Sequence, residues 1–166
     1  MTAHSERRQY TPLFVAPLNL GRRFLSLIHP EAAHAKAGRP SFIFAKFNSW
    51  LDEKIIQALY RASQAGVRVE LRGLSSRIRL RSVVGRFLEH SRVFVFCNGG
   101  RTDVYLGSAD WMQRHIYERV DGIFHVKDPV LRNQIFAEVV APYLADTLKT
   151  RILPPTGEYV RLHAAR

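Results

Sequence analysis

The order of strand and helix patterns in the first half of the chain limits the possible folds most. Residues 13–17 form a short apolar strand pattern closed by a proline, and residues 20–37 carry apolar side chains at helical spacing up to Gly38. A second strand, a second helix capped by Asp52 and closed by Gly66, and a third strand follow up to Leu71. This β-α-β-α-β order predicts an α/β domain with right-handed crossovers and a mainly parallel sheet. Pro30 is expected to kink the first helix or delay its start.

The second half of the chain has the pattern of antiparallel strands. Residues 92–97 and 103–107 flank an Asn-Gly-Gly turn, which predicts a β-hairpin. A strand at 120–126 follows, and then a helix that begins at Pro129 and is ended by the prolines that follow Leu153. A last edge strand is expected from Glu158 onward.

These elements fit one folded domain. We expect a single α/β domain over residues 12–166, with a mixed, mainly parallel sheet flanked by helices, after a disordered polar segment at residues 1–11. A chain of 166 residues is long enough to bury a core without a disulfide or a structural metal.

The positive charge indicates an anionic partner. The chain carries a formal net charge of +11, and 20 of its 25 basic residues are arginines. Residues 61–101 hold nine of those arginines against two glutamates, which is +7 of the +11. Codon usage that favours arginine would explain part of this excess. Because arginine grips phosphate in a bidentate fashion, the clustering favours nucleic acid, polyphosphate, a nucleotide or an anionic lipid as partner.

Several classes of protein are excluded by simpler features. No apolar run approaches the 18 residues of a transmembrane helix, and the first residues lack the apolar stretch of a signal peptide. A lone cysteine, Cys97, fits a reducing compartment, so a cytoplasmic location is expected. No P-loop motif occurs, and no CxxC or HExxH spacing predicts a metal site.

One pair of segments carries a mechanism. His90-x-Arg92 opens one hairpin strand, and Gly107-Ser108-x-Asp110 closes the other. Because antiparallel strands place the start of one against the end of the other, these groups should lie side by side. The imidazole can attack or protonate a phosphoryl oxygen, Arg92 can hold phosphate oxygens, and Ser108 can add hydrogen bonds.

At these residues the chain resembles the C-terminal catalytic region of long-form polyphosphate kinases. The resemblance is carried by Val-Val-Gly-Arg-Phe-Leu-Glu-His-Ser-Arg at 83–92 and Ser-Ala-Asp-Trp-Met at 108–112. It extends to 45–49, 58–67 and 157–161, and so covers nearly the whole chain from about residue 10. It implies a phospholipase-D-like fold. It also implies an enzyme family that moves the terminal phosphate of ATP onto polyphosphate through a phosphohistidine, with Mg²⁺ accompanying ATP.

The resemblance also assigns candidate residues. His90 matches the second active-site histidine, which contacts the nucleotide phosphates and assists transfer. Arg72 matches a phosphate-contacting arginine, and Lys46, Asn48 and Arg92 match weaker candidate positions for phosphate or ATP binding. The alternatives are a solvated strand-end charge for Arg72 and a lysine that extends toward solvent for Lys46.

The chain departs from the family pattern in three places. The phosphorylated histidine, the magnesium-linked arginines and the adenine-binding region would all lie upstream of the residues present here. The loop after Gly73 is shortened. The family's Arg-Asn-Leu-Asp is Arg-His-Ile-Tyr at 114–117, and its Arg-Val-Glu is Arg-Val-Asp at 119–121.

The sequence therefore leaves three functional interpretations open. The first is a partial polyphosphate kinase domain that binds ATP or inorganic polyphosphate and needs the missing half, from a separate chain, for turnover. The second is a non-catalytic module that binds polyanions or assembles with other subunits. The third is a homodimeric phospholipase-D-like phosphodiesterase, although such enzymes normally use His-x-Lys and Gly-Ser-x-Asn. The resemblance shifts the expected partner from nucleic acid to phosphate chains.

Overall fold

A mixed sheet forms the centre of the structure. The computed structural model describes residues 13–49, 51–71, 78–83, 90–146, 150–152, 158 and 160–161, so the segment expected to be disordered, 1–11, lies outside the described residues. The strands are Leu13–Val15 (β1), Phe42–Lys46 (β2), Arg68–Leu71 (β3), Ile78–Val83 (β4), Arg92–Phe96 (β5), Asp103–Gly107 (β6), Gly122–His125 (β7), Thr150–Ile152 (β8) and Val160–Arg161 (β9). They lie in the order β1-β7-β6-β5-β2-β3-β4-β8-β9.

The α/β class and the mixed sheet agree with the sequence, but the expectation that the sheet is mainly parallel is wrong for the described strands. Only β2 with β3 and β3 with β4 pair in parallel, and the other pairings in this part of the chain are antiparallel. The reason lies in how β5 enters the sheet. It lies beside β2 in the antiparallel direction, and it continues through the turn at Asn98–Gly100 into a hairpin with β6, which is antiparallel by construction.

Helices cover both faces of the sheet. The helices are Leu20–Lys36 (α1), Glu53–Gln64 (α2), Pro129–Ile135 (α3) and Ala141–Ala145 (α4), and a π-helical turn at Phe136–Val140 joins the last two into one helical segment, 129–145. The helices enclose two hydrophobic cores, one on each face of the sheet, and successive residues of β2 belong to different cores. Ile43 packs with α1 and α2, whereas Phe44 packs with the segment 129–145.

The helix boundaries follow the capping signals in the sequence. Asp52 accepts a hydrogen bond from the backbone N–H of Ile55, and Asp128 accepts from the two residues after Pro129. The helix α1 starts at Leu20 and runs through Pro30, so the proline does not delay it. The buried stripe that α1 presents to the core stabilises the helix more than the lost backbone bond weakens it.

The two strands β4 and β8 were not expected from the sequence. They extend the sheet beyond β3, and β8 lies where the sequence suggested the end of a helix that in fact ends at Ala145. The edge strand expected from Glu158 is present as Val160–Arg161. Among the described residues no helix has both the length and the apolar character needed to span a bilayer.

An aromatic cluster lies beneath the end of the sheet where β5 begins. Trp111 is fully buried, and its ring lies 5.0 to 5.4 Å from the rings of Phe24, Phe47 and Phe94. Its carbonyl accepts hydrogen bonds from the backbone N–H groups of Leu51 and Asp52. Trp111 therefore fixes the segment after β6 to the start of α2 and to the core.

A buried polar cluster, which we call the turn cluster, lies at the turn end of the β5–β6 hairpin. Glu31 of α1 is fully buried and accepts from the backbone N–H groups of Phe42, at 3.1 Å, and Asn98, at 2.5 Å. The Asn98 side-chain amide donates to Asp103 at 2.6 Å, and its oxygen lies 3.4 Å from a ring nitrogen of His34. Burial raises the pKa of the Glu31 carboxyl above its ordinary value, although the two backbone hydrogen bonds oppose this.

Candidate functional site

The register of the hairpin brings the two predicted segments together. Arg92, the first residue of β5, pairs with Gly107, the last residue of β6, so that His90 and Ser108 lie just beyond the same end of the pair. Gly107 is required here because a Cβ at this position would lie 2.2 Å from the carbonyl oxygen of Gly122. The predicted juxtaposition of the histidine strand and the Gly-Ser-x-Asp segment is therefore present in the structure.

A buried ion pair holds these segments in place. Arg92 donates from Nε to Oδ1 of Asp110, at 2.9 Å, and from Nη2 to Oδ2, at 3.0 Å. The backbone N–H of Asn48 adds a third hydrogen bond, to Oδ1. Burial alone would raise the pKa of the Asp110 carboxyl, but the hydrogen bonds from Arg92 and Asn48, together with the charges of Arg92 and His115, lower it below its ordinary value. Asp110 therefore acts as an ionised anchor.

Arg92 also orients His90. Its Nη1 lies 2.5 Å from the His90 Nδ1 and 2.6 Å from the His90 carbonyl oxygen. A guanidinium can only donate, so Nδ1 is the acceptor and a neutral His90 carries its proton on Nε2. In this tautomer the Nε2–H can donate to a phosphate oxygen, whereas nucleophilic attack by Nε2 would first require the proton to move to Nδ1, where Arg92 already donates.

Most of the hydrogen-bonding capacity of Arg92 is already used. Four of the five N–H groups of the guanidinium point to His90 and Asp110. The sequence predicted that Arg92 would grip phosphate oxygens. In the structure, the hydrogen bonds of Arg92 hold His90 in position instead.

Ser108 lies in the same wall, but its donors are engaged. The hydroxyl donates to Oδ1 of Asp121 at 2.8 Å, and the backbone N–H donates to the Gly122 carbonyl oxygen at 3.0 Å. The Gly122 N–H in turn donates to the Ser108 hydroxyl oxygen at 3.3 Å. Ser108 thus joins the end of β6 to the start of β7.

These residues line one open cleft of about 580 Å³, which we call the site cleft. Its lining comprises Asn48, His90, Arg92, Gly107, Ser108, Asp110, Arg114, His115, Arg119 and Asp121. The exposed arginines Arg114 and Arg119 face the cleft and were not candidates from the sequence. The signal available for them was that Arg114 and Arg119 are the first residues of the segments that match the patterns Arg-Asn-Leu-Asp and Arg-Val-Glu, and that both arginines are retained.

Two other predicted residues are not among this lining. Lys46 donates to the Ser91 carbonyl oxygen at 2.8 Å, and its ammonium lies 5.7 Å from the centre of the Tyr143 ring, on the face of the sheet covered by the segment 129–145. Arg72 lies outside the described residues, so its role stays a prediction.

The comparisons with known proteins decide the family. The family model "Polyphosphate kinase C-terminal domain 2" matches residues 13–166. This chain belongs to the polyphosphate kinase family. It is 41% identical to the polyphosphate kinase of a Synechocystis species over 99% of this chain, and 43% identical to that of Pseudomonas aeruginosa over 90%. The chain spans about a quarter of the length of these relatives, 24% and 23% respectively.

Solved structures agree with this assignment. The crystal structure of polyphosphate kinase from Porphyromonas gingivalis matches 96% of this chain with a TM-score of 0.88 and 33% identity, over 26% of the other chain. The phospholipase D family member Nuc from Salmonella typhimurium matches 84% of this chain and 95% of its own with a TM-score of 0.62. At 19% identity the second match shows the fold alone, and it confirms the phospholipase-D-like architecture of this polyphosphate kinase domain.

The described side chains of this polyphosphate kinase domain do not fit a protein-bound Mg²⁺. Both Asp110 oxygens accept from Arg92, and Asp121 lies beside Arg119 and His115. Within the part of the chain that the structure describes, no three side chains of histidine, cysteine, aspartate or glutamate come together as a metal site. A divalent cation prefers several ionised oxygen ligands, which this arginine-rich wall does not offer.

Proposed function

We propose that the site cleft binds the phosphates of ATP or inorganic polyphosphate for polyphosphate-kinase-type phosphoryl transfer, and that turnover needs the part of the enzyme that this chain does not span. The observation that carries the proposal is the oriented His90 in a cleft with two exposed arginines. Family membership supports the substrate class. Mg²⁺ would enter with ATP, bound to its phosphate oxygens.

The donors of the cleft suit an anion with several oxygens. Arg114 and Arg119 can each donate two parallel hydrogen bonds, and the neutral His90 adds one from Nε2. The bond between Arg92 and Asp110 fixes His90 before a ligand arrives, so less ordering accompanies binding. Phosphoryl transfer depends mainly on such positioning and on neutralised charge.

The role of His90 follows from its tautomer. With Nδ1 accepting from Arg92, His90 would donate its Nε2 proton to a phosphate oxygen and stabilise the charge that develops during transfer. We infer that the phosphoryl group itself is carried by another part of the kinase. The isolated chain should therefore bind phosphate chains and turn over slowly or not at all.

Binding is tested with inorganic tripolyphosphate and ATP by calorimetry. Arg114→Ala and Arg119→Ala should each weaken tripolyphosphate binding by roughly tenfold, the effect of one lost charge-assisted contact. Arg101→Ala is the matched control because Arg101 lies at the turn end of the hairpin and its loss changes the net charge equally. Affinity should also fall steeply with added salt. Equal effects of all three variants would leave only non-specific charge attraction and contradict the proposal.

Catalysis is tested separately. Polyphosphate formation from MgATP is measured with this chain alone, and again with the remaining part of a related polyphosphate kinase added. We expect activity only in the mixture, and a loss of that activity in His90→Ala. Robust turnover by the chain alone would overturn the need for the missing part. Specific tripolyphosphate binding without activity in the mixture would instead favour a non-catalytic binding module.

A further inference from the structure

The site cleft accounts for few of the basic residues of the chain. Among the described residues, its lining holds three of the 20 arginines, Arg92, Arg114 and Arg119. Two others pair at the far edge of the sheet. Arg151 of β8 lies directly opposite Arg161 of β9, and both residues are exposed. We call these two arginines the edge pair.

The arrangement of the edge pair is unfavourable for the fold alone. Residues directly opposite each other in antiparallel strands have Cβ atoms about 5 Å apart, and like charges at such positions weaken the strand pair. The ladder between β8 and β9 comprises two residue pairs, Arg151 with Arg161 and Ile152 with Val160, so the ladder itself offers little to offset this repulsion. An anion bound between the two guanidinium groups would replace the repulsion with attraction.

The edge pair shares one face of the sheet with the site cleft. Leu71 of β3 belongs to the core that α1 and α2 cover, and its partner on β4 lies two residues before Ser82, which pairs with Arg151. Because alternate residues of a strand share a face, Arg151 lies on the face of Leu71. On β5, Phe94 belongs to the same core, so Arg92, two residues before it, lies on this face as well.

The edge pair also lies near the same end of the sheet as the cleft. Lys46, the last residue of β2, pairs with Val93 near the start of β5, so β2 ends where the cleft opens. The strands β3 and β4 run parallel to β2, and β8 runs back from that end, since its first residue, Thr150, pairs with Val83. Adjacent strands lie about 4.8 Å apart, so β8, four strands from β5, lies roughly 19 Å from it.

We propose that the edge pair is a second anion subsite, which binds the distal part of a long polyphosphate chain whose end lies in the site cleft. The proposal rests on the proposed function in that the cleft takes the near end of the chain. Arg151 and Arg161 can each donate two parallel hydrogen bonds to phosphate oxygens. Arg72, whose role stays a prediction, follows directly on β3, the strand midway between β5 and β8 in the sheet. A chain held at both places binds more tightly, because the second contact is intramolecular.

The composition of both places favours a bare phosphate chain over a nucleic acid. Proteins that bind single-stranded nucleic acid combine basic residues with aromatic rings on which the bases stack. Neither the cleft lining nor the described residues of β8 and β9 include phenylalanine, tyrosine or tryptophan. The arginines alone are sufficient for a ligand that consists only of phosphates.

The experiment compares inorganic tripolyphosphate with long-chain inorganic polyphosphate by calorimetry. Arg151→Ala should lower the affinity for the long chain roughly tenfold. Tripolyphosphate is too short to reach from the cleft to the edge pair, so its affinity for the cleft should fall by less than about twofold, the effect of a distant screened charge. Arg101→Ala removes the same charge at the turn end of the hairpin and is the matched control. Equal losses of long-chain affinity in Arg151→Ala and Arg101→Ala would overturn the proposal.

Arg161→Glu separates a role in binding from a role in the fold. A glutamate opposite Arg151 replaces repulsion with attraction, so without ligand the backbone amides of β8 and β9 should exchange with solvent roughly twofold more slowly. The affinity for the long chain should nevertheless fall by more than about tenfold, because a donor has become a carboxylate. Circular dichroism and urea unfolding establish that each variant is folded. Slower exchange with unchanged long-chain affinity would show that the edge pair takes no part in binding.

The outcomes also separate this proposal from the proposed function. Long-chain binding that depends on Arg151, without tripolyphosphate binding at the cleft, would contradict the proposed function and leave the edge pair as a subsite. Tripolyphosphate binding through Arg114 and Arg119, with long-chain binding that is independent of Arg151, would contradict the edge pair alone. Single-stranded DNA with the same number of phosphates serves as the second ligand. If it binds as tightly as the long chain and loses as much affinity in Arg151→Ala, the assignment to polyphosphate is wrong.

Discussion

The two ends of the β5–β6 hairpin use similar polar residues for opposite purposes. At the turn end, the Glu31 carboxylate accepts from two backbone N–H groups and is closed off from solvent. At the cleft end, the Asp110 carboxylate holds an arginine, and that arginine orients a histidine toward an open cavity. A carboxylate that binds backbone supports the fold, whereas one that binds a cation beside a cavity prepares a site for an anion.

The two carboxyl groups also differ in how the fold affects their ionisation. Burial dominates at Glu31 and raises its pKa, whereas the hydrogen bonds and charge of Arg92 outweigh burial at Asp110 and lower its pKa. The presence of histidine, aspartate and asparagine at the end of a strand therefore does not by itself indicate function. The partner of each carboxylate and the space beside it do.

The largest effect should come from Arg92→Ala. This change leaves the buried Asp110 carboxylate without its partner, and we expect the free energy of unfolding to fall by roughly 3 to 5 kcal/mol in urea denaturation at neutral pH. Tripolyphosphate binding should be lost with it, because His90 is no longer held.

The matched change at the other end is Glu31→Ala. It leaves two backbone N–H groups without an acceptor and should cost about 2 kcal/mol, with tripolyphosphate affinity unchanged under conditions where the variant is folded. Equal losses of affinity in Glu31→Ala and Arg92→Ala would remove the distinction between the two ends.

Substitution of one glycine at each end of the hairpin should give a smaller difference in stability and binding. A Cβ on Gly107 meets the Gly122 backbone at 2.2 Å, so Gly107→Ala should lower the free energy of unfolding by roughly 2 to 3 kcal/mol and weaken tripolyphosphate binding. Gly100→Ala meets no atom within 4 Å and is disfavoured only by its φ of +106°, at a cost of about 1 kcal/mol. Chemical denaturation and calorimetry measure both. A Gly100→Ala variant that binds less well than Gly107→Ala would contradict the assignment of the site to the β6–β7 end.

The smallest effect concerns the dependence of stability on pH. Because the pKa of Asp110 is lowered in the folded protein, its contribution is present above the unfolded pKa and is lost as the pH falls through the folded one. Because the pKa of Glu31 is raised, its contribution is complete below the unfolded pKa and declines as the pH rises through the folded one.

The contribution of each carboxylate is the difference in unfolding free energy between the wild type and the variant that lacks it. Measured from about pH 3 to about pH 7, this difference should change with pH in opposite directions for Asp110 and Glu31. Asp110→Asn should reduce the loss of stability on acidification, and Glu31→Gln should reduce the decline toward neutral pH. If the contributions of Asp110 and Glu31 changed with pH in the same direction, the two carboxylates would not be in different environments.

Much of the fold could be predicted from local sequence signals. Asp52 and Asp128 cap the helices that their positions indicated, and the Asn-Gly-Gly turn forms the expected hairpin. The signal for β4 was present in the alternation of Ile78-Arg79-Leu80-Arg81, but it lies inside the arginine-rich stretch that was interpreted only as charge. The strand β8 has three residues, too few to carry a pattern. The balance of parallel and antiparallel pairs depends on which strand β5 joins, and that is decided by tertiary packing.

The candidate site was predictable only in its centre. The hairpin register follows from the pattern, so the contact between the His90 segment and the Asp110 segment was expected and is present. The direction of a side chain from a strand end is set by tertiary contacts, which place Lys46 against Tyr143 instead of in the cleft lining. Arg114 and Arg119 lie around a π-helical turn at Arg114–Glu118, whose geometry the sequence does not specify.

The buried Trp111 has a consequence for how such a domain can diversify. Trp111 follows Asp110 directly and is packed in the aromatic core. The position of one side of the cleft is therefore fixed by core residues that do not line the cleft. The stretch from Arg114 to Asp121 runs from that anchor back to the sheet at β7, and its exposed residues Arg114 and Arg119 can be substituted without disturbing the core, which Ile116 joins. Natural selection can therefore exchange one wall of the cleft for new ligand preferences while the other stays constant.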